Sequence, residues 1–370
     1  MASNILNSPF STAIPPGHGK VVLSVLPPGI PSLSTLSYKY PLKLISRVST
    51  CNSETSTVSP LHLYVLSYGG GLLPGDHINV CIELKPHSKL VVTTPQGSTK
   101  IFKTEPRLSQ KGSPPGVADN LKSDRSQQIV NVDLCPESSL CYLPDPAVPF
   151  KNSKYEQIQL FTFLEGEYCG SQEPIENELP NRKSRRPSLC ILDWVTEGRS
   201  ARGEKWSFDL WHSRNEVWVK DCKTGRKRLL LRDNLTLSNE AGPSDPGAES
   251  RAHPLAMPPS IIARTAPHTV LGTLILYGPL FDSLSAFFMN AFSSEPRIGA
   301  RNWSSNKSSD EQSAQKPPII TWTAAQVRSG FVLVKFGAPD FESAKRWLGG
   351  MLREEGSIMK EFGDEALSYL

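Results

Sequence analysis

The stretch HINVCIEL, residues 77–84, alternates apolar and polar residues from end to end. Ile78, Val80, Ile82 and Leu84 fall on one side and Asn79, Cys81 and Glu83 on the other, the period of two that a strand with one buried face requires. The same texture extends outward. VVLSVL (21–26), LHLYVLSY (61–68), KLVVTT (89–94), QIVNVDL (128–134), YEQIQLFTFL (155–164), EVWVKD (216–221) and RLLLRDNLTL (228–237) are short runs of Val, Ile, Thr and aromatics, separated by Pro, Gly, Asn and Ser. The expectation is a β pattern from Val21 to about Leu237.

Composition agrees with a soluble globular chain. At 370 residues it is long enough to bury about three quarters of its unfolded surface without disulfides or a structural metal. With 38% hydrophobic and 21% charged residues and a mean hydropathy of −0.29, it is neither membrane-embedded nor fully disordered. The 32 prolines are nearly twice the usual share of about 5%, so loops, turns and strand ends should be abundant. Forty basic against 36 acidic residues leave a charge of +4, too small to imply a nucleic-acid partner. The seven cysteines are scattered and form no CxxC pair, as expected of reduced thiols in a cytoplasmic protein. The opening MASNILNSPFSTAIPPGHGK reads as neither signal nor transit peptide, and no run of about 18 apolar residues suggests a membrane span.

Two helices are expected near the end. Residues 280–292 place Phe281, Leu284, Phe288 and Ala291 on one stripe that Phe287 and Phe292 widen. Residues 340–355 begin with Asp340 as N-cap and carry Phe341, Ala344, Leu348 and Met351 on one side. Segments near 105–127, 171–187, 239–259 and 303–318 are polar and read as inserted loops. The expected organisation is a flexible N-terminus (1–16) and one domain (17–370) that carries those inserts.

Four motifs stand out, each with a structural reading beside the chemical one. The turn 69–77 (GGGLLPGDH) lacks the Lys-Ser/Thr of a phosphate loop and is followed by a strand. It delivers Asp76 and His77 to a strand entrance, or is a tight connection closed by an Asx-type bond. Residues 93–102 (TTPQGSTKIF) carry Thr94, Gln96, Thr99 and Lys100, which also suit a cross-strand polar ladder. In LPDPAVPF (143–150), flanking prolines hold Asp145 extended, as a surface kink also would. The last motif runs from Asp193-Trp194 through Glu197, Arg199 and Arg202 to Glu204 and Trp206. Such charges normally neutralise one another at a surface turn, but beside tryptophans partial burial is expected, and there they would form a polar network acting as a metal stop or a structural tie. No GxSxG, HExxH or zinc-spaced Cys/His signature accompanies them.

These motifs, in this order, resemble the urease accessory proteins called UreD or UreH. Pro74, before Gly75-Asp76, and the long inserts depart from the usual pattern. The resemblance implies a mostly β, β-helix-like stack of strands with two C-terminal α-helices. It implies a non-enzymatic metallochaperone for nickel insertion into apo-urease that binds a UreF-like protein and, through it, a UreG-like GTPase, with no nucleic-acid or membrane partner. It also implies an internal path for the ion. No tightly bound cofactor is expected, only transient nickel. Dispersed carboxylates hold a divalent ion loosely, whereas imidazole and thiolate cages retain it. With the resemblance tipping the choice towards a relay, Asp76 and Glu204, on the two most distinctive motifs, are the leading residues, as transient ligands or as acceptors on a tunnel wall, with Asp145, Asp193 and His77 beside them. Phe287, Phe292, Phe362 and Leu370 either face a partner or complete the core. Two other readings stand: a metal-independent structural adaptor, and a β-stacked hydrolase that uses Asp76 and Glu204 as acid and base.

Overall fold

A computed structural model describes residues 14–49, 58–95, 99–104, 125–166, 186–239, 260–295 and 320–370. Most of the N-terminus, most of the four expected inserts and Gln96 lie outside the described residues. The first strands are β1 (His18–Leu26), β2 (Ile30–Tyr38), β3 (Leu42–Val48), β4 (Leu61–Ser67), β5 (His77–Leu84), β6 (Lys89–Thr93) and the short β7 (Lys100–Ile101). There follow β8 (Ser126–Leu134), β9 (Ser139–Tyr142), the short β10 (Val148–Pro149), β11 (Lys154–Glu165), β12 (Ser188–Thr196), β13 (Leu210–Asp221) and β14 (Lys227–Ser238). The C-terminal part holds α1 (Ile261–Thr265), β15 (Val270–Tyr277), α2 (Asp282–Ser294), β16 (Thr321–Gln326), β17 (Val332–Ala338), α3 (Phe341–Glu355) and α4 (Ser357–Phe362).

The strands form two large sheets, ordered β14-β13-β11-β8-β5-β1-β2 and β16-β17-β15-β12-β9-β6-β4-β3, with β10-β7 as a separate pair. From β4 to β13 the chain crosses between the two large sheets. Each circuit adds one parallel strand to each: β5, β8, β11 and β13 to the first, β4, β6, β9 and β12 to the second. This is the β-helix-like stack. Its inner face follows from the alternation: Ile82, Val132, Phe161 and Val217 stand in register on four successive strands and are all buried.

A second core lies between the eight-stranded sheet and the helices, where Phe281 and Phe362 stack at 5.9 Å. Asp340 caps α3 by accepting from the Ser343 amide at 2.7 Å, and Gly356 at φ +84° ends it. Strands do not stop at Leu237. β15 is a near-continuous apolar run buried on both faces, where alternation gives no signal, and β17 is a short apolar run broken by the exposed Lys335. The short α1 and α4, of five and six residues, present too few turns for a helical period to show. No helix among the described residues is long and apolar enough to cross a membrane.

Candidate functional site

The four motifs, spread over more than 130 residues of sequence, meet side by side. Leu72 N donates to Lys100 O at 2.8 Å and Phe102 N to Leu72 O at 3.0 Å. Val148 N donates to Thr99 O at 3.0 Å and Phe150 N to Ile101 O at 2.9 Å. Ala147 N donates to Trp194 O at 3.0 Å and Thr196 N to Ala147 O at 2.9 Å. Two glycines allow this zip. A Cβ on Gly71 would lie 2.5 Å from Lys100 O, and one on Gly198, at φ +111°, would lie 2.7 Å from Pro149 O.

Within this strip the sequence-predicted acids have different fates. Asp76 Oδ2 accepts from the Leu73 amide at 2.8 Å, closing the glycine-rich turn, and its half-exposed side chain lines neither hollow described below. His77, the first residue of β5, is exposed. Glu204 is clamped: Arg199 Nε donates to its Oε2 at 2.9 Å, Arg199 Nη2 grips the other oxygen, and the Lys151 amide adds a third donor at 3.1 Å. The Arg199 guanidinium sits 3.9 Å from the centre of the Phe150 ring. Arg199 thereby holds the Glu204 carboxyl below its usual pKa, which unsuits it to be a general acid. In the structure Asp76 and Glu204 are both fixed by local donors. Their carboxylates tie turns together, and motif ends rather than inward-facing strand positions had drawn attention to them.

Asp145 and Asp193 are the acids brought to a common space. Both line a hollow of about 40 Å³ between the sheets, together with Thr94, Gln128, Tyr142, Tyr155 and Gln157, with room for about three water-sized spheres. Asp145 and Thr99 also line a surface cleft of about 360 Å³, so the strip is the wall between the two. Asp145 is 8% exposed, its amide donates to Thr94 Oγ1 at 2.9 Å, and among the described residues no donor meets its carboxylate. Burial pushes its pKa up to about 6, against a weaker opposing pull from Lys345. Across the cleft, Glu197 is equally buried, unmet by a donor among the described residues, and raised for the same reason.

Asp193 faces inward from β12 and accepts from Gln157 (3.1 Å), Ser213 (2.5 Å) and Asn215 (2.7 Å). Burial raises its pKa, and these donors pull it back. Two polar rungs extend from it. Gln159, Asn215 and Asp233 are register neighbours on one sheet; Asp193, Thr273 and Lys335 are neighbours on the other. The rungs join at Asn215–Asp193 and again where Lys335 Nζ meets Asp233 Oδ1 at 2.6 Å. Both amide atoms of Gln159 and Oδ1 of Asn215 are buried with no protein partner, an arrangement that calls for water. Sequence reasoning had not found this band. Its one visible sign was Asp193 itself, a charge inside the apolar run LCILDWV. No group of three or more His, Cys, Asp or Glu residues forms a metal cluster among the described residues.

The apolar residues considered for a partner also separate. Phe362 and Leu370 are interior residues of the second core, so for them the structure gives the core alternative. Phe287 and Phe292 remain partly exposed, Phe292 against Trp322 at 5.3 Å.

Fold and site together define a strand stack with a polar band in its interior, next to a surface cleft. Comparison gives the family. A model described as UreD urease accessory protein matches residues 17–166 and 184–362. The chain is 30% identical over 351 residues to Urease accessory protein 4 of Cryptococcus neoformans var. grubii serotype A, covering 92% of this chain and 90% of that protein. It is 28% identical over 322 residues to a ureD-like urease accessory protein of Schizosaccharomyces pombe, covering 87% and 88%. Over 203 residues it is 30% identical to Urease accessory protein D of Arabidopsis thaliana, covering 55% of each chain. The chain belongs to the UreD urease accessory protein family, and its role lies in urease maturation.

Proposed function

We propose that the chain relays nickel to apo-urease as a scaffold shared with a UreF-like protein and a UreG-like GTPase, in the cytoplasm and without catalysing a reaction of its own. The observation that carries this reading is Asp145, a buried carboxylate without a donor that lines both the surface cleft and the interior hollow. A carboxylate with water binds a hard or borderline divalent ion weakly and exchanges it fast, as a relay needs. Asp193, saturated by three donors, keeps the next stretch polar and negative, and the rungs from Asp193 to Lys335 continue that polarity through the stack. Asp76 and Glu204 tie the neighbouring turns of the strip and line neither the cleft nor the hollow.

The test is the nickel content of urease matured in cells with this chain, without it, with Asp145→Asn and with Asp145→Glu. Loss of nickel without the chain and with Asp145→Asn, partly restored by Asp145→Glu, is expected. Nickel-replete urease without the chain would overturn the reading. Nickel-replete urease with Asp145→Asn would leave an adaptor that never meets the metal.

A further inference from the structure

The two ends of the stack are built differently. At one end β14 shows solvent Lys227, Arg228, Arg232, Asn234 and Thr236, with Arg232 paired to Glu216 at 2.9 Å. Charged and polar residues of this kind close a strand stack against further pairing. At the other end β2 and β3 are the outermost strands of their sheets, each paired on one side only among the described residues. There Ile30, Leu36, Tyr38, Ile45 and Val48 are exposed, and Tyr40 (66%) packs on Tyr68 at 5.5 Å beside them. Among the described residues, β1, β2 and β3 and the turns between them carry cations and no acids. The first acidic residue in the chain is Glu54, whereas Lys20, Lys39, Lys43 and Arg47 all precede it. Lys43 Nζ lies over the Tyr68 ring at 5.8 Å, and Lys20 and Lys39 form no ion pair among the described residues. Arg47 meets Glu365 at 3.1 Å, an acid contributed by the C-terminal segment.

We propose that the β2 edge is a docking site for an extended, acidic and apolar segment of a partner protein, which adds to the seven-stranded sheet as a further strand. The backbone edge supplies hydrogen bonds, the exposed apolar side chains receive every second partner residue, and the lysines select acidic residues between them. A second copy of this chain would bring cations against cations, and a lipid surface offers no backbone groups to a strand edge. The inference is independent of the metal reading.

The experiment uses the full chain and a fluorescein-labelled peptide of alternating valine and glutamate, with a valine–lysine peptide as counterpart, read by fluorescence anisotropy and by amide exchange. The glutamate peptide is expected to bind at least tenfold tighter than the lysine peptide, to weaken with salt, and to protect amides within residues 30–38. The surface double variant Lys39→Glu/Lys43→Glu, checked for an unchanged thermal midpoint, is expected to reverse the preference. Absent or charge-blind binding would overturn the proposal, as would protection at residues 227–238 instead. So would a chain that sediments as a dimer with residues 30–38 already protected, or stronger protection of those residues by phosphatidylserine vesicles than by the peptide.

Discussion

Asp145 is held where its charge is unfavourable for folding, which links the site to a measurable property. Because burial raises its folded pKa to about 6, the native state keeps a proton that the unfolded chain, with a carboxyl near pH 4, has released. Stability from this group is therefore present at low pH and lost as pH rises through roughly 4 to 6. Asp145→Asn is expected to match the native chain at pH 4 and to exceed it at pH 7 by about 1–2 kcal/mol once partial solvent screening is allowed for. Urea titrations at the two pH values check this. Glu204 has the opposite sign. Its pKa is lowered by Arg199, so its contribution is present above the ordinary carboxyl range and lost as pH falls below it. Arg199→Ala strands that partly buried carboxylate and should cost about 1–3 kcal/mol at pH 7, with the cost shrinking towards pH 3 in the same titrations.

The helix α3 contains two glycines that look alike in sequence and are not. A Cβ on Gly349 would lie 2.7 Å from Arg353 Nη1 and 3.0 Å from the backbone of Leu370, whereas one on Gly350 meets nothing within 4 Å. Gly350→Ala should stabilise the chain by about 0.5–1 kcal/mol through helix propensity alone, and Gly349→Ala should destabilise it; thermal melts of the two variants distinguish them. Legibility at this scale followed exposure to one-sided burial. The alternation in β5 and the capped periodicity of α3 were readable because each has one buried and one open face. Strand β12 sits between two cores, so LCILDW offered no parity from which to see that Asp193 points inward among glutamines. Strand β2, a serine-rich edge containing Pro31, lacked the apolar weight of its neighbours.

At the scale of the whole molecule, the motifs could be found in sequence but not assembled. LPDPAVPF and DWVTEGR are about 50 residues apart, and only the coiling of the strand stack lays Ala147 against Val195 and Val148 against Lys100. That strip turns two separate acids into the two sides of one wall. Relay by this chain requires ion passage through it, and Thr99, which lines both the cleft and the hollow, allows the passage to be filled without removing a carboxylate. The decisive measurement is the nickel content of urease matured with Thr99→Phe, in a variant whose thermal midpoint and co-assembly with urease are unchanged. Nickel per active site is expected to drop at least tenfold although Asp145 and Asp193 are intact; full nickel occupancy would rule out passage through the strip.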